Sequence, residues 1–544
     1  MSEPIIRTES IGGSPLARAA VEGRLGDWYV PRPASPQAWR ARVEAVRASV
    51  TGRAWLEALR PAFAATGAAH ARLERVASAR GIVVTTGQQP GLFGGPIYTW
   101  SKALSALTLA DEIEAATGVP TAPVFWAAND DADFAEACWT AVGVRGGVER
   151  LVVPAGAALG RIMGEMPLGD VAPALDALIR ACGAAVDERP IDAVRAAYRA
   201  GATVGGAYVQ FLRQLFEPLG IAVLDAADVS LSDSARSILV RALDRGETVA
   251  TALRERDEAI HAAGFELQVS EVAGLSLVFE RPVGGGDKRR IPILEAAAVA
   301  AAGDDGRRGI LSPNVLLRPV VERAVLPTAT YIGGPGEVAY FAQVSAVAAA
   351  LDLETPMVVP RWSTTILEPH IVRILSRLRI EESELADPHR AEGRLAKESI
   401  PPAVSRAFSE LRAELARRSS AVDDAVQEGG LPLPSEVVDG TQRSIQHRLD
   451  RLERRIVAAA KRRERDTMMQ IATARGALFP LGKRQERALN IIPFMARHGA
   501  IVTERMRAAA REHARELVGT GRPTDASAEV TRSPNRVPVA DPRS

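Results

Sequence analysis

The chain contains very little cysteine and few histidines. Cys138 and Cys182 are the only cysteines among 544 residues, which excludes a disulfide framework or a thiolate metal cage and fits a reducing compartment. Neither lies in a setting that would activate its thiol, so both are expected to be buried apolar side chains. None of the seven histidines pairs with another at metal-ligand spacing, and no Ser-His-Asp elbow motif occurs. The sequence therefore predicts no metal-ligand set of its own.

The chain also lacks an excess of either charge and lacks a long apolar run. Its 67 basic and 66 acidic residues nearly cancel, so neither nucleic acid nor a membrane is expected as a partner. No segment reaches the roughly 18 apolar residues of a membrane span, and the N-terminus does not read as a signal peptide. A cytoplasmic globular protein is expected. Because 544 residues exceed one ordinary core, we predict a large domain with an appended unit.

Short β-branched runs alternate with helical patterns after a helical leader over residues 1–78. The run 81–86 predicts a buried strand, the apolar spacing from Ile97 predicts a helix, and the run 122–127 predicts a second strand, which together make a βαβ unit. Further strands are predicted at 150–153, 221–225, 275–279, 329–332 and 357–360. The alternation predicts an α/β protein with a Rossmann-like, mainly parallel sheet.

We assign this Rossmann-like core to residues 79–385 and expect inserted connecting material over about 160–300. Residues 386–477 carry two heptad-like apolar stripes separated by a Gly/Pro-rich turn, which predicts an antiparallel coiled-coil hairpin. The stretch from Arg443 to Arg465 is strongly basic; a solvated face is the expected explanation, and a phosphate-bearing partner is the alternative. A segment over 478–518 is expected to return to the core, and a disordered tail is expected over 519–544.

The most informative motif is a glycine-rich turn between the first predicted strand and its helix. Glycines permit close approach of a ligand, and the amino terminus of the following helix offers free N–H groups to an anion. The spacing matches neither the P-loop nor the dinucleotide fingerprint, so a structural turn is the alternative. The candidate substrate-binding residues of this motif are Gln88, Gln89, Gly94, Gly95, Tyr98 and Lys102.

Acidic residues follow the second predicted strand directly. Asp130 and Asp131 are the candidate catalytic residues, and Asp133 is a candidate substrate-binding residue. Open α/β sheets bind ligands at the carboxyl ends of their strands, where carboxylates can bind an amine, accept a proton or hold Mg²⁺ through water. A helix amino-terminal cap would also select aspartate, so that alternative stays open.

Two later strand ends repeat this arrangement. Glycines follow the strand at 329–332 and precede a helix, and an arginine that can pair with a carboxylate or phosphate lies upstream. The candidate substrate-binding residues here are Asn314, Arg318, Gly334, Gly336, Glu337, Tyr340 and Gln343, and those after the strand at 357–360 are Arg361 and Ser363. Together, four strand ends can converge on one crevice, whereas any one alone is more often a cap or a turn.

These motifs carry a family resemblance over roughly residues 80–500. The chain resembles the cysteine-adding enzymes of bacillithiol biosynthesis in five segments: Thr86–Tyr98, Pro123–Trp126 with its acidic sequel, Ser312–Pro319, Tyr331–Glu337 and Leu478–Phe494. The resemblance implies a Rossmann-type core, a coiled coil that forms a homodimer, and a ligase that adds L-cysteine to glucosaminyl malate through an amide bond in the last step of bacillithiol synthesis. One departure is clear, since Ala132 stands where family members usually have histidine.

Amide formation from a free carboxylate is unfavourable in water, so a nucleotide such as ATP is expected to activate the cysteine carboxyl group. Mg²⁺ is a second candidate cofactor, and the sequence establishes neither. We hypothesise that Lys102 or Arg318 balances negative charge while Asp130 or Asp131 binds or deprotonates the amine. Two alternatives remain open. One is a related ATP-dependent ligase or nucleotidyltransferase with another acceptor, and the other is a non-catalytic dimeric scaffold.

Overall fold

The computed structural model of the chain describes residues 3–49, 52–154, 160–270, 272–301 and 309–521. Most of the tail that we expect to be disordered lies outside the described residues. The strands are β1 (Ile5–Glu9), β2 (Ile82–Gln88), β3 (Thr121–Ala127), β4 (Trp139–Val144), β5 (Gly147–Val152), β6 (Ala222–Asp225), β7 (Leu275–Arg281), β8 (Arg289–Pro292), β9 (Ile310–Pro313), β10 (Thr328–Gly333), β11 (Val358–Pro360) and β12 (Ser363–Leu367).

Helices make up most of the remaining described chain. The α-helices are α1 (Pro15–Val21), α2 (Pro36–Ser49), α3 (Ala54–Phe63), α4 (Gly67–Ser78), α5 (Ile97–Thr117), α6 (Phe134–Ala137), α7 (Ala172–Cys182), α8 (Arg189–Ala197), α9 (Val204–Phe216), α10 (Val229–Asp244), α11 (Gly246–Ala262), α12 (Ile293–Ala301), α13 (Arg318–Val325), α14 (Pro335–Ala350), α15 (Pro369–Leu378), α16 (Arg390–Glu398), α17 (Pro402–Glu428), α18 (Ser435–Arg463), α19 (Arg465–Leu478), α20 (Ile492–His498) and α21 (Ala500–Val518). Short 3₁₀ helices cover Gly26–Trp28, Leu92–Gly94, Glu217–Leu219, Glu382–Leu385, Pro480–Gly482 and Gln485–Arg487.

A five-stranded sheet in the order β11-β10-β2-β3-β6 forms the centre of the larger of two compact units. All four strand pairs are parallel. This confirms the predicted Rossmann-like, mainly parallel sheet. The chain leaves β2 toward β3 and β6 and later returns on the other side with β10 and β11. The strand order therefore reverses between β2 and β10, and ligands of open α/β sheets bind at the carboxyl end of such a reversal.

Helices cover both faces of this sheet. Successive side chains of a strand point to opposite faces, so each buried strand contributes to two apolar clusters. Val83 packs into an apolar cluster that contains residues of α3, α4, α10 and α14. Its neighbours Ile82 and Val84 pack into a second cluster with residues of α2, α5 and α21. Burial of each aliphatic side chain contributes about 1.5–3 kcal/mol of transfer free energy. The packing of the sheet between its two layers of helices therefore fixes the positions of the strand ends.

Helix α5 is buried on almost all of its faces and carries polar residues into the interior. Ser105 and Thr108 donate hydrogen bonds to the carbonyl oxygens one turn earlier, at 2.7 and 2.9 Å. These bonds satisfy hydroxyls that would otherwise be costly to bury. The same helix places Lys102 beneath the carboxyl end of β2.

Four predictions from the sequence differ from the structure. Strand β7, at the position predicted as 275–279, pairs antiparallel with β8 and β9 in a separate three-stranded sheet, and β5 pairs with β4 in a two-stranded sheet. Periodicity identifies a strand but not its partner, which long-range pairing decides. Strand β6 belongs to the main sheet although it lies within the segment that we expected to be inserted, and the leader contains a strand, β1, besides its helices.

Among the described residues, the smaller unit contains 366–489, 141–150 and 3–5. Its helices α17 and α18 form the predicted hairpin. Arg412 of α17 donates to Asp450 at 2.8 Å and to Glu453 at 2.7 Å on α18. Neither helix has a buried residue. No helix in the described ranges is long and apolar enough to cross a membrane.

Candidate active site

The glycine-rich turn leaves β2 at the point where the strand order reverses. The side chain of Gln88 accepts a hydrogen bond from Lys102 Nζ at 3.0 Å and donates to the hydroxyl of Tyr98 at 3.4 Å. Gln89 donates to a carboxylate oxygen of Asp131, beyond the end of β3. Both glutamine amides are therefore oriented by partners from neighbouring segments.

A second glycine turn leaves β10 beside the first. Glu337, in the first turn of α14, accepts a hydrogen bond from the backbone N–H of Gly334 at 2.7 Å. A Cβ atom at Gly334 would come within 3.2 Å of the Glu337 carboxylate, so glycine leaves the room that this contact needs. Lys102 Nζ lies 2.5 Å from Glu337 and donates to the carbonyl oxygen of Gly87 at 2.7 Å. Lys102 thus joins the two turns.

Lys102 and Glu337 begin a group of largely buried charged residues, here called the charge cluster. Arg318 extends it along the sheet edge. Its guanidinium donates to the hydroxyl of Tyr340 at 3.1 Å and to that of Tyr331 at 3.3 Å. Glu322, one turn later on α13, lies 3.4 Å from the guanidinium, and the Tyr331 hydroxyl donates to Glu337 at 2.5 Å. The cluster is a connected network rather than a set of separate contacts.

The two acids of this network differ in their titration. Burial alone would raise the pKa of Glu337, but Lys102 and Arg318 outweigh it and hold the pKa below its usual range. Burial raises the pKa of Glu322 to about 7, with Arg318 and the hydroxyl of Thr85 opposing the shift. Glu337 is therefore a fixed anion, whereas Glu322 can hold or release a proton near neutral pH.

The aspartates after β3 occupy three different environments. Asp131 accepts hydrogen bonds from Gln89 and from the N–H of Ala132, the latter at 2.6 Å. Asp130 faces the ammonium group of Lys288, 3.5 Å away, and Lys288 also donates to the Asp130 carbonyl oxygen at 2.6 Å. Asp133 is exposed and caps no backbone N–H of α6 with its side chain.

A pocket at the carboxyl ends of β3 and β6 is lined by both Asp130 and Arg318. Its wall also includes Asp228, Arg281 and Ser312. Arg281 is held by Glu165 and by the carbonyl oxygen of Ala227, at 3.1 Å from the latter. Asp130 and Arg318 therefore face one space, whose volume of about 20 Å³ is the room of a single water molecule, so an acceptor must open it to enter.

Several candidates lie at the edge of this arrangement or outside it. Gln343 donates to Asp257 at 2.8 Å and to the Val269 carbonyl oxygen at 2.9 Å, so its amide is directed toward α11. Asn314 accepts from the N–H groups of Leu316 and Leu317, which makes it a turn cap. These two side chains are not brought to the charge cluster, because their amides are used by local structure.

The remaining candidates belong to the glycine turns or lie just after β11. The Arg361 guanidinium lies over the Tyr98 ring, 5.9 Å from its centre, and Ser363 is buried at the start of β12. Gly336 packs near Gln268. Gly94 and Gly95 have φ of +87° and +74°, which glycine adopts easily, and a Cβ atom at Gly94 would meet the Phe211 ring at 2.4 Å.

Sequence reasoning missed four members of the site. Glu322 carried a detectable signal, since it stands four residues after Arg318 and so on the same face of a helix. Tyr331 begins the Tyr331–Glu337 segment, but its place in a predicted strand indicated only a buried side chain. Lys288 and Arg281 come from the segment around β7 and β8, and only the tertiary fold brings them to the pocket.

The carboxylates of this site do not form a ready-made cation site. Both carboxylate oxygens of Asp131 accept hydrogen bonds, and Asp130 faces an ammonium group. Across the described segments, no group of three His, Cys, Asp or Glu could hold a metal ion. The carboxylate oxygens of the site therefore fit an amine or a hydroxyl group better than they fit Mg²⁺.

The two cysteines differ in exposure. Cys182 is fully buried, and burial raises the pKa of its thiol to about 11, as expected for an inert side chain. Cys138 is only half-buried, which differs from the expectation, because it follows the short helix α6 near the surface.

Comparison with known proteins agrees with the fold described above. The family model described as "Bacillithiol biosynthesis BshC, N-terminal Rossmann-like domain" matches residues 19–276 and 306–362. The model described as "Bacillithiol biosynthesis BshC, C-terminal coiled-coil domain" matches residues 364–516.

Similar proteins named "Putative cysteine ligase BshC" occur in several bacteria. That of Solibacter usitatus is 31% identical over 78% of this chain and 82% of its own length, and that of Koribacter versatilis is 31% identical over 82% and 84%. That of Symbiobacterium thermophilum is 28% identical over 92% and 97%. These names agree with the ligase class predicted from the sequence. Matched by both family models over most of its length, the chain belongs to the bacillithiol biosynthesis BshC family.

Proposed function

We propose that this chain joins the carboxyl group of L-cysteine to the amine of glucosaminyl malate, the last step of bacillithiol synthesis. The names of its relatives support the cysteine ligase part of this proposal. The observation that carries the acceptor part is the pocket lined by both Asp130 and Arg318. An acceptor with an amine at one end and carboxylates at the other presents the opposite charge to each of these side chains.

Each side chain then has a distinct role. Lys288 faces only Oδ2 of Asp130, so the other oxygen of this carboxylate binds the amine and accepts its proton as the carbon–nitrogen bond forms. Arg318, held by two tyrosine hydroxyls, binds a carboxylate of the malate part. Asp131 positions Gln89 rather than reacting, because its oxygens are already occupied. Lys102 is almost fully buried among Gly87, Gln88 and Glu337, so it orients the Gln88 amide.

A nucleotide, when bound, supplies the activation of the cysteine carboxyl group that amide formation needs. The ammonium group of Lys102 is engaged by Gly87, Gln88 and Glu337, so Arg318, which lines the pocket, is the cation that fits a negatively charged group there. The reactive thiol belongs to the substrate, so the enzyme needs no activated cysteine of its own.

Product analysis tests this function. The purified chain is incubated with cysteine and glucosaminyl malate, with and without ATP, and the amide product is measured by mass spectrometry. Asp130→Asn should lower product formation about 100-fold, as loss of a general base does. Asp131→Ala and Gln88→Ala should also lower it while the unfolding temperature stays close to that of the wild type.

Asp176→Asn, in an exposed position on α7, is the matched control and should leave product formation unchanged. Wild-type turnover by Asp130→Asn would refute the role of this residue. Product with a different amine acceptor but none with glucosaminyl malate would assign the chain to a related ligase, and no product with any acceptor would favour a scaffold.

We also propose that the hairpin forms a homodimer. Its apolar stripe stays exposed within one chain: Val404 is 39%, Leu411 48%, Val422 54% and Leu452 46% exposed. Apolar residues at heptad spacing are stable in water only when another helix covers them. A second copy of the same hairpin offers the matching stripe.

A further inference from the structure

The glycine-rich loop has an unusual backbone at residues 93–95. Phe93, Gly94 and Gly95 have φ of +53°, +87° and +74°. Glycine adopts such angles freely, but phenylalanine does so rarely, and the Phe93 side chain is fully buried. A non-glycine residue keeps a positive φ only when its surroundings impose it. The contacts that impose it should therefore lie around this loop.

One such contact comes from Asn490, which is fully buried and 397 residues away from Phe93 in the chain. Its side-chain N–H₂ group donates to the carbonyl oxygen of Phe93 at 3.0 Å and to that of Gly95 at 3.2 Å. The same group lies 3.2 Å from the hydroxyl of Thr140, and the Asn490 side-chain oxygen accepts from the N–H of Ile492 at 2.9 Å. One amide thus fixes two of the three unusual residues.

Tyr198, the residue directly after α8, also contacts the loop. Its hydroxyl accepts a hydrogen bond from the N–H of Gly94 at 3.2 Å and donates to the carbonyl oxygen of Gly91 at 3.3 Å. Its ring packs edge-on against Phe93, with 5.0 Å between the ring centres. Burial raises the pKa of Tyr198, so the hydroxyl keeps its proton and continues to donate.

We propose that Asn490 and Tyr198 are positioning residues that keep loop 91–95 in the conformation in which Gln89 holds Asp131, the neighbour of the acceptor-binding Asp130. This inference rests on the proposed function for the identity of the acceptor. Both residues act through the loop and not by touching the reacting atoms. The loop connects Gln89, which is bonded to Asp131, with α5, which carries Tyr98 and Lys102, so its shape sets the distance between these groups.

The expected kinetic effect is specific. If a variant loop spends about one tenth of its time in the binding-competent shape, the acceptor binds about tenfold more weakly, since apparent affinity falls in proportion to that fraction. At a saturating concentration of acceptor, binding returns the loop to its binding-competent shape. The KM for the acceptor should therefore rise while kcat stays nearly constant, which simple loss of folded protein would not produce.

Tyr198→Phe tests this prediction because it removes the hydroxyl and keeps the aromatic ring. Its KM for glucosaminyl malate should rise about tenfold, with kcat within about threefold of the wild type. Asn490→Asp removes both N–H donors and places carboxylate oxygens against two carbonyl groups, so its effect should be larger. Tyr208→Phe is the matched control: Tyr208 is also fully buried, and among the described residues its hydroxyl makes no hydrogen bond to loop 91–95.

Hydrogen exchange of the 88–98 segment, measured by mass spectrometry, provides a readout that needs no activity. It should be at least about tenfold faster in Tyr198→Phe and Asn490→Asp than in the wild type, and unchanged in Tyr208→Phe. An unchanged KM or unchanged exchange in both variants overturns the inference. Failure of the wild type to make the amide overturns the proposed function alone, and exchange then decides whether these residues hold the loop.

Discussion

The charge cluster at the sheet edge and the helical hairpin use the same kinds of residue in opposite ways. In the cluster, the side chains of Lys102 and Glu337 are 4% and 18% exposed and lie 2.5 Å apart. In the hairpin, those of Arg417 and Glu414 are 64% and 48% exposed at a similar distance of 2.6 Å. Water screens the second pair but hardly screens the first. Distance alone therefore says little about what an ion pair contributes.

The apolar residues of the two regions also differ in their burial. Around the cluster they are buried within one chain, and helix α14 has apolar residues buried along its length. Along α17 and α18 they remain exposed. The apolar surroundings of the cluster are thus covered within one chain, whereas the hairpin leaves its stripe exposed to the proposed partner.

The largest expected effect comes from breaking the buried pair. Lys102→Met should destabilise the chain by about 3–5 kcal/mol, because it leaves the Glu337 carboxylate buried without its main cation. Urea unfolding measures the change, and the double variant Lys102→Met with Glu337→Gln should recover part of it. Arg417→Ala in the exposed hairpin pair is the control and should leave the unfolding midpoint unchanged. Equal effects of the two single variants would remove the contrast between the regions.

A smaller effect is expected from placing charge on the hairpin stripe. Leu411→Lys together with Leu452→Lys should convert a dimer into a monomer, because a paired stripe would have to bury two ammonium groups in each chain. Sedimentation velocity measures the mass, and the unfolding of the larger unit should change little. Val186→Lys alters an apolar residue that is 66% exposed outside the hairpin and should keep the dimer. A dimer that survives the double substitution would show that another surface joins the copies.

The smallest effect concerns pH. The folded state raises the pKa of Glu322 to about 7 from an ordinary 4.5, so it binds an extra proton between these values. The stability that this group contributes is complete below about pH 4.5 and is lost as the pH rises through about 7. Glu322→Gln mimics the protonated form at every pH. The free energy of unfolding of this variant, relative to the wild type, should therefore increase by about 1–3 kcal/mol between pH 5 and 8.

Chemical unfolding at several pH values measures this difference, and contributions from all other groups cancel because they are common to both proteins. A difference that stays constant with pH, or decreases, would show that Glu322 is ionised throughout. Arg318 would then hold it as an anion, just as it helps to hold Glu337.

Much of the core could be predicted from local pattern. The β-branched runs of β2 and β3 and the apolar spacing of α5 are strong because these elements are buried on both sides, which leaves little room for other periodicities. The strand ends were predictable for the same reason, and the structure places Gln88 and Glu337 on either side of Lys102 there. The amides of Asn314 and Gln343 bond to nearby protein groups instead, because an amide in a motif gives no indication of whether a protein group or a ligand will use it.

The sequence by itself determined the family, the alternation of strands and helices, the glycine turns and the hairpin, because each of these depends on residues close together in the chain. Only the tertiary structure decided which side chains meet. Lys102 reaches Glu337 across more than 200 residues, and Asn490 reaches the loop from near the end of the described chain. Such contacts depend on how the buried layers pack, and no local spacing specifies that packing.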